Sequence, residues 1–447
     1  MVCKSQFIHP AYLKGSLLKQ IRLLLLIGLL LLVPVVTAQD DDDISDALLD
    51  DLAEIEAATS AVRELEPLTE LRVDFPTQAE LLAFLTADME TEYTEEAMLA
   101  DNQFYRAFDW IDADIDLVGL TTDLLVDQIA GFYEPELDVM NVIMLDGAEV
   151  GDSLPILERS TYAHEFVHAL QDQYFDLNAL IESLSDDNPD GALAILSLVE
   201  GDATVAGNQY LIQAITSDAD LMGELMALDQ EALLASTLPP ENVPDILFTE
   251  LTERYFVGAD FVGALIEAGG WDLVNDAFTN LPQSMEQIYH PERYLAGEAP
   301  IPVTVESGLD ALEGDGWVFL FERTFGEFYW REYLANQLSD DVIEVATTGW
   351  GGDLYQLYYN AELDQRAWVM NLVMDSVDDG AEFAEAYFAF ADARMGVMSM
   401  QESARIGCWA GADDALCLFA DADAISIGYA PTTAEAFGLV STQVGVE

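Results

Sequence analysis

Lysine, histidine and cysteine are nearly missing from this chain. Its lysines are Lys4, Lys14 and Lys19 alone, its cysteines are Cys3, Cys408 and Cys417, and its 447 residues hold 4 histidines. Basic residues of both kinds number 15 against 84 acids, a formal charge of −69. A surface of that sign offers no basic patch to a phosphate backbone or an anionic headgroup, which excludes nucleic acid as a partner and disfavours anionic membranes. The acids run along the whole sequence rather than forming a tail, which points either to a high-salt habitat that screens their repulsion or to an acidic, soluble surface. Cys408 and Cys417 flank a short polar turn between two β-like runs and are expected to form a disulfide across a hairpin. With no histidine beside them, they do not make a metal site of their own. No Gly-x-Ser-x-Gly occurs, so a serine nucleophile is unsupported. The glycine-rich stretch from Gly349 to Asp353 lacks the spacing and the following helix of a phosphate cradle.

What is present begins with a hydrophobic content of 51%, enough for a real core in two or three domains. Residues 1–22 are basic without an acid, residues 23–36 are almost purely apolar, and Val36-Thr37-Ala38 places small residues where a signal peptidase cuts. The apolar run is shorter than the ~20 residues a bilayer requires. The expectation is therefore a signal peptide over 1–38, a secreted or cell-surface product, and no stable membrane insertion after cleavage, with an uncleaved anchor as the alternative reading. Residues 39–60 open with four aspartates and are expected to form an acidic linker running into a weak helix. Helical spacing follows in 77–111, and a hairpin turning at Pro135 is expected over 131–145. Two antiparallel helices are expected next, one from about 155 to 184 and one over 192–215. Strand-like runs near 353–375 and 404–429 around a helix at 380–395 suggest a C-terminal α+β domain with an antiparallel sheet, over 301–447.

Two of the histidines stand in His164-Glu165-Phe166-Val167-His168. On a helix, residues four apart lie one turn apart on the same face, so both imidazoles reach one metal ion and Glu165 reaches a water bound to it. Zinc needs a third protein ligand and an open fourth position. Glu200 is the candidate, because Leu193, Leu196, Ala203 and Gly207 put it within an otherwise apolar stripe of the next helix, where a charge requires a partner. An arginine such as Arg159 or Arg254 is the alternative partner.

This arrangement resembles the gluzincin zinc metallopeptidases, in which two histidines and a downstream glutamate hold zinc. Gly131 to Pro135, His164 to Asp172 and Glu200 to Ala203 are also similar to a set of uncharacterised secreted bacterial proteins of that group. The resemblance covers roughly residues 60–300, and implies a zincin-like catalytic domain over 61–300: a small sheet with an edge strand, the motif helix and the helix after it. The strand at 138–145 takes the place of the edge that binds the substrate backbone. Asp172 matches an acid that follows the motif in thermolysin-like members and is expected, with Asp202, to orient the ligands. Arg254-Tyr255-Phe256-Val257-Gly258 is similar to the Tyr-x-x-Gly segment of zinc aminopeptidases, making Tyr255 the first candidate for polarising the scissile carbonyl. His290, beside Pro291, is the second. Together these imply a secreted metallopeptidase that hydrolyses peptides or proteins with zinc, with Glu165 as general base. A non-catalytic binding protein retaining a zinc site and a zinc hydrolase of non-peptide amides are the competing readings, and oligomeric state is undetermined.

Overall fold

The computed structural model describes residues 44–445 except 93, 114, 129, 136, 145–148, 230–237, 241, 398–399 and 402–405. The expected signal peptide and the four aspartates that follow it lie outside the described residues. Among the described residues, no helix is long and apolar enough to cross a membrane. The architecture is α+β. Helices surround a three-stranded sheet in the N-terminal part, and a seven-stranded antiparallel sheet lies in the C-terminal part.

Helix α1 (Asp46–Arg63) occupies most of the stretch expected to be an acidic linker. Its acids conceal the pattern: Leu48, Leu52 and Ile55 recur at helical spacing and are buried. Ser45 caps the helix by accepting the N–H of Leu48, and Arg63 in the last turn is carried into the interior. Strands β1 (Arg72–Asp74), β2 (Gly131–Glu134) and β3 (Val139–Val142) form the small sheet in the order β1-β3-β2, with β1 parallel and β2 antiparallel to β3. The hairpin is where the β-branched and aromatic residues predict it. The edge is not: β1 covers the far side of β3, so β3 is the central strand and β2 is the free edge on the hairpin side.

Helix α2 (Ile156–Phe175) carries the histidine motif. It stops before the expected end because Asp176 turns left-handed at φ 59° and caps a separate short helix, Leu177–Glu182. Helix α3 (Pro189–Ser217) starts with proline in its first turn under an Asn188 cap, and helix α4 (Asp245–Gly269) completes the layer. Helices α2 and α3 run antiparallel, since Gln171 meets Val199 and Asp202 while His164 packs on Gly207.

Beyond residue 300 come β4 (Trp317–Arg323), α5 (Gly326–Ala335), β5 (Trp350–Asn360), β6 (Gln365–Met374) and α6 (Val377–Met395). Strands β7 (Met400–Gln401), β8 (Ile406–Ala410), β9 (Ala415–Asp421), β10 (Ala424–Ala430) and helix α7 (Thr433–Val444) end the chain. The sheet order is β4-β5-β6-β10-β9-β8-β7. Alternation divides its faces. Tyr355, Leu357, Trp368 and Met370 point into the main core, whereas Tyr358, Val369, Cys408 and Cys417 point toward Leu439 and Val440 of α7. Cys408 and Cys417 stand opposite each other on β8 and β9 and are joined as a disulfide.

One cluster of buried side chains extends from Val62 to Ile427, across the position near 300 where separate domains are expected. Phe108, just after a helix of the N-terminal part, packs on Phe325 and Trp368 at centroid distances of 4.5 and 5.2 Å. Asp190, in the first turn of α3, accepts the N–H groups of Met285 and Phe328. Gly326 has φ +79° and a Cβ there would lie 2.0 Å from Asp190 Cγ, so the junction between α3 and α5 admits only glycine.

Candidate metal centre

The motif helix is well packed: Phe166, Val167, Ala169 and Leu170 are fully buried around His168, while His164, one turn earlier on the same face, borders a pocket. The two imidazole Nε2 atoms are 3.1 Å apart. Glu200 Oε2, from α3, lies 3.2 Å from His164 Nε2 and 3.3 Å from His168 Nε2. Glu200 is fully buried, and its other oxygen, Oε1, has no hydrogen-bond partner. Among the described residues, these three side chains form a group with ligand atoms close enough to hold one metal ion.

A second hydrogen bond settles which nitrogen of His168 carries a proton. His168 Nδ1 is 2.9 Å from Gln171 Oε1 on the next turn. The Gln171 amide nitrogen donates at 2.9 Å to both Val199 O and Asp202 Oδ2, groups that only accept. Its oxygen must therefore face His168, and His168 must donate from Nδ1. That leaves the Nε2 lone pair aimed at Glu200 and His164. Asp202 is in turn paired with Arg63 Nε at 2.6 Å, both side chains being fully buried. Arg63 also donates to Asn275 at 2.7 Å and lies over the Trp271 ring at 4.5 Å. The pair is fully buried but not fully satisfied, since Arg63 Nη1 has no hydrogen-bond partner.

Converging acceptors call for a cation. Burial lowers the affinity of His168 for a proton, but Glu200, Glu165 and the Gln171 hydrogen bond together outweigh it and push the imidazole up to about 9, so a second proton sits on Nε2 toward Glu200 unless a cation takes its place. Burial likewise raises Glu200, yet the two histidines outweigh it and hold the carboxyl well below its usual range. Glu165 is buried and is raised, by burial first and against the pull of the histidines.

Tyr255 enters from α4, its ring 5.9 Å from that of His164. Its hydroxyl is raised well above the usual range, by burial first and then by the charge of Glu200. Two glycines make this approach possible. A Cβ on Gly258 would lie 2.1 Å from Ser197 O, and one on Gly201 would lie 2.2 Å from Gly258 O. Helices α3 and α4 thus touch backbone to backbone beside Glu200, one turn from Tyr255. The pocket, about 560 Å³, is bounded by Ala130 and Gly131 before and within β2, His164 and Glu165 of α2, Gly207 and Asn208 of α3, and Tyr255, Phe256 and Asp260 of α4.

The remaining candidates fall elsewhere. His290 Nε2 is 3.3 Å from Glu327 Oε1 of α5 and is not part of the pocket wall. Asp172 accepts from the Tyr133 hydroxyl at 3.1 Å and from Leu177 N at 3.0 Å, so it tethers β2 and caps the helix after α2. The histidine is oriented by Gln171 instead, with Asp202 behind it. Of the two arginines weighed as partners for Glu200, Arg159 binds Asp51 and Tyr210. Arg254 is buried within electrostatic reach of Glu200 and donates from Nε to Leu251 O.

Residues 319–439 match a family described as Domain of unknown function (DUF8575). None of the candidate site residues lies in that span. No curated protein and no solved structure matches the chain.

Proposed function

We propose that this chain is a zinc-dependent metallopeptidase with a zincin-like catalytic domain, exported by its N-terminal segment and acting on peptides or proteins. The observation that carries the reading is the meeting of His164 Nε2, His168 Nε2 and Glu200 Oε2 at mutual distances of 3.1 to 3.3 Å beside Glu165 at the pocket wall. Tetrahedral ligands about 2.0–2.1 Å from zinc stand about 3.3–3.4 Å from one another, so the donor set fits that ion. The unpartnered Glu200 Oε1 and the fixed tautomer of His168 support the same reading. Asymmetric burial supports it further: His168 and Glu200 are sealed inside, while His164 borders the cavity, leaving access from one side.

When bound, zinc would lower the pKa of a water in its open coordination position to about 7. Glu165 stands next in sequence to His164 and takes a proton from the attacking water; burial raises its proton affinity, which suits it to hold that proton and pass it to the leaving amine. Tyr255 donates from its hydroxyl to the carbonyl oxygen as negative charge develops there, a task for which a high proton affinity keeps the donor intact. The outer edge of β2 at Gly131 flanks the pocket and aligns an extended substrate backbone.

Elemental analysis of the purified chain should find about one zinc per molecule, lost in His164→Ala and kept in Glu165→Gln. Zinc far below one equivalent with no uptake on addition would remove the proposal's foundation.

A further inference from the structure

The pocket carries one charge that its chemistry does not use. Glu165 stands beside the histidines as the base, and Glu200 meets both of them. Asp260, on the outer part of α4, also lines the cavity, is exposed, and among the described residues has no hydrogen bond or ion pair. One turn earlier on the same helix face stands Phe256, 64% exposed at the rim of the same cavity. No arginine or lysine belongs to the wall. What sets this exposed ring apart is its place at the cavity rim with a carboxylate one turn away, a pairing that suits a cation. A guanidinium or ammonium group can lie on the ring face while its N–H groups reach the carboxylate.

We infer that Phe256 and Asp260 form a subsite for a positively charged group of the substrate, so that the enzyme prefers peptides presenting a cation at the pocket rim. The inference rests on the peptidase reading and adds the substrate class to it. An anionic peptide meets Asp260 unscreened at short range and is disfavoured. The cation can be a side chain or a free α-amine, since the two share the chemistry that Asp260 and Phe256 recognise.

The test uses the zinc-loaded enzyme and matched peptides. One set is N-acetylated with Arg, Ala or Glu at each position near the cleaved bond, and a second set has Ala with a free amine. Arg peptides or free-amine peptides, whichever supply the cation, should exceed Glu peptides about tenfold in kcat/KM, mainly through KM, and the margin should shrink with added salt. Asp260→Asn should erase the margin, and Asp260→Arg should reverse it. Equal rates for all peptides, or an order unaltered by Asp260→Arg, would overturn the subsite. The dissociation constants of the same peptides for Glu165→Gln separate this from failure of the peptidase reading. If nothing is cleaved yet binding follows charge and reverses in the double variant with Asp260→Arg, the subsite stands and the reaction falls. Binding indifferent to charge would end the subsite whatever the reaction.

Discussion

Gln171 Oε1 accepts from His168 Nδ1 at 2.9 Å, and that one contact joins an imidazole of the candidate metal centre to a buried ion pair two steps away. The chain of contacts runs from His168 through Gln171 to Asp202 and ends at Arg63, which arrives from a helix far upstream in sequence. Such supports fix ring orientation and tautomer, and their loss typically lowers metal affinity about 10- to 100-fold.

Gln171→Leu removes the acceptor for His168 Nδ1 while keeping similar bulk. Zinc affinity, read by competition with a chromogenic chelator, should fall about 10- to 100-fold with the fold intact by circular dichroism. Asp172→Asn should leave zinc affinity nearly unchanged, because Asp172 meets Tyr133 and Leu177 rather than a histidine. Equal effects of the two substitutions would contradict the assignment.

Tyr255→Phe deletes one hydroxyl and little volume. If that hydroxyl stabilises developing charge, kcat should drop about 100- to 1000-fold with zinc retained and KM little altered. His290→Ala breaks a contact with Glu327 away from the pocket and should act on thermal stability more than on kcat. The reverse ranking would transfer the role to His290.

Gly258→Ala forces a Cβ into Ser197 O, a backbone atom that cannot rotate away. Separating α3 from α4 should destabilise the protein by about 1–3 kcal/mol or more, measured by urea unfolding. Because the crossing lies beside Glu200 and Tyr255, any folded Gly258→Ala protein should also bind zinc more weakly.

The hairpin, the two central helices, the disulfide pair and the C-terminal antiparallel sheet were legible because each has a local signal: period two, period three to four, or a turn. Glu200 was legible as a charge within an apolar stripe, and it is fully buried beside the two histidines. Gln171 was not, since it and Asp172 both lie within a turn of His168 and helix geometry alone does not choose between them. The choice is made by Val199 O and Asp202, which tertiary packing brings to Gln171. Helix α1 was legible only as a weak helix after a linker because its acids mask Leu48, Leu52 and Ile55, and the burial of Arg63 was not legible at all. The edge strand was misplaced because β1 is three residues long and carries no pattern of its own.

Glu253 offers a pH test outside the candidate ligands. Burial pushes its carboxyl up to about 7 despite a hydrogen bond from Tyr289. A carboxyl raised in the folded state favours folding in its protonated form, so its contribution is complete below the ordinary range near 4.5 and is lost as pH rises through about 7. Glu253→Gln, a mimic of the protonated form, should raise Tm at pH 8 and leave it unchanged at pH 4.5, measured by differential scanning calorimetry. A larger gain at the lower pH would contradict the direction.

The most direct measurement is cleavage of an unbiased peptide library by the purified chain, before chelation, after chelation, and after zinc is returned. The expected result is hydrolysis that disappears with the metal, returns with zinc, and is absent from Glu165→Gln at every stage. A folded, zinc-loaded chain that cuts no peptide, or cutting that survives both chelation and Glu165→Gln, would contradict it.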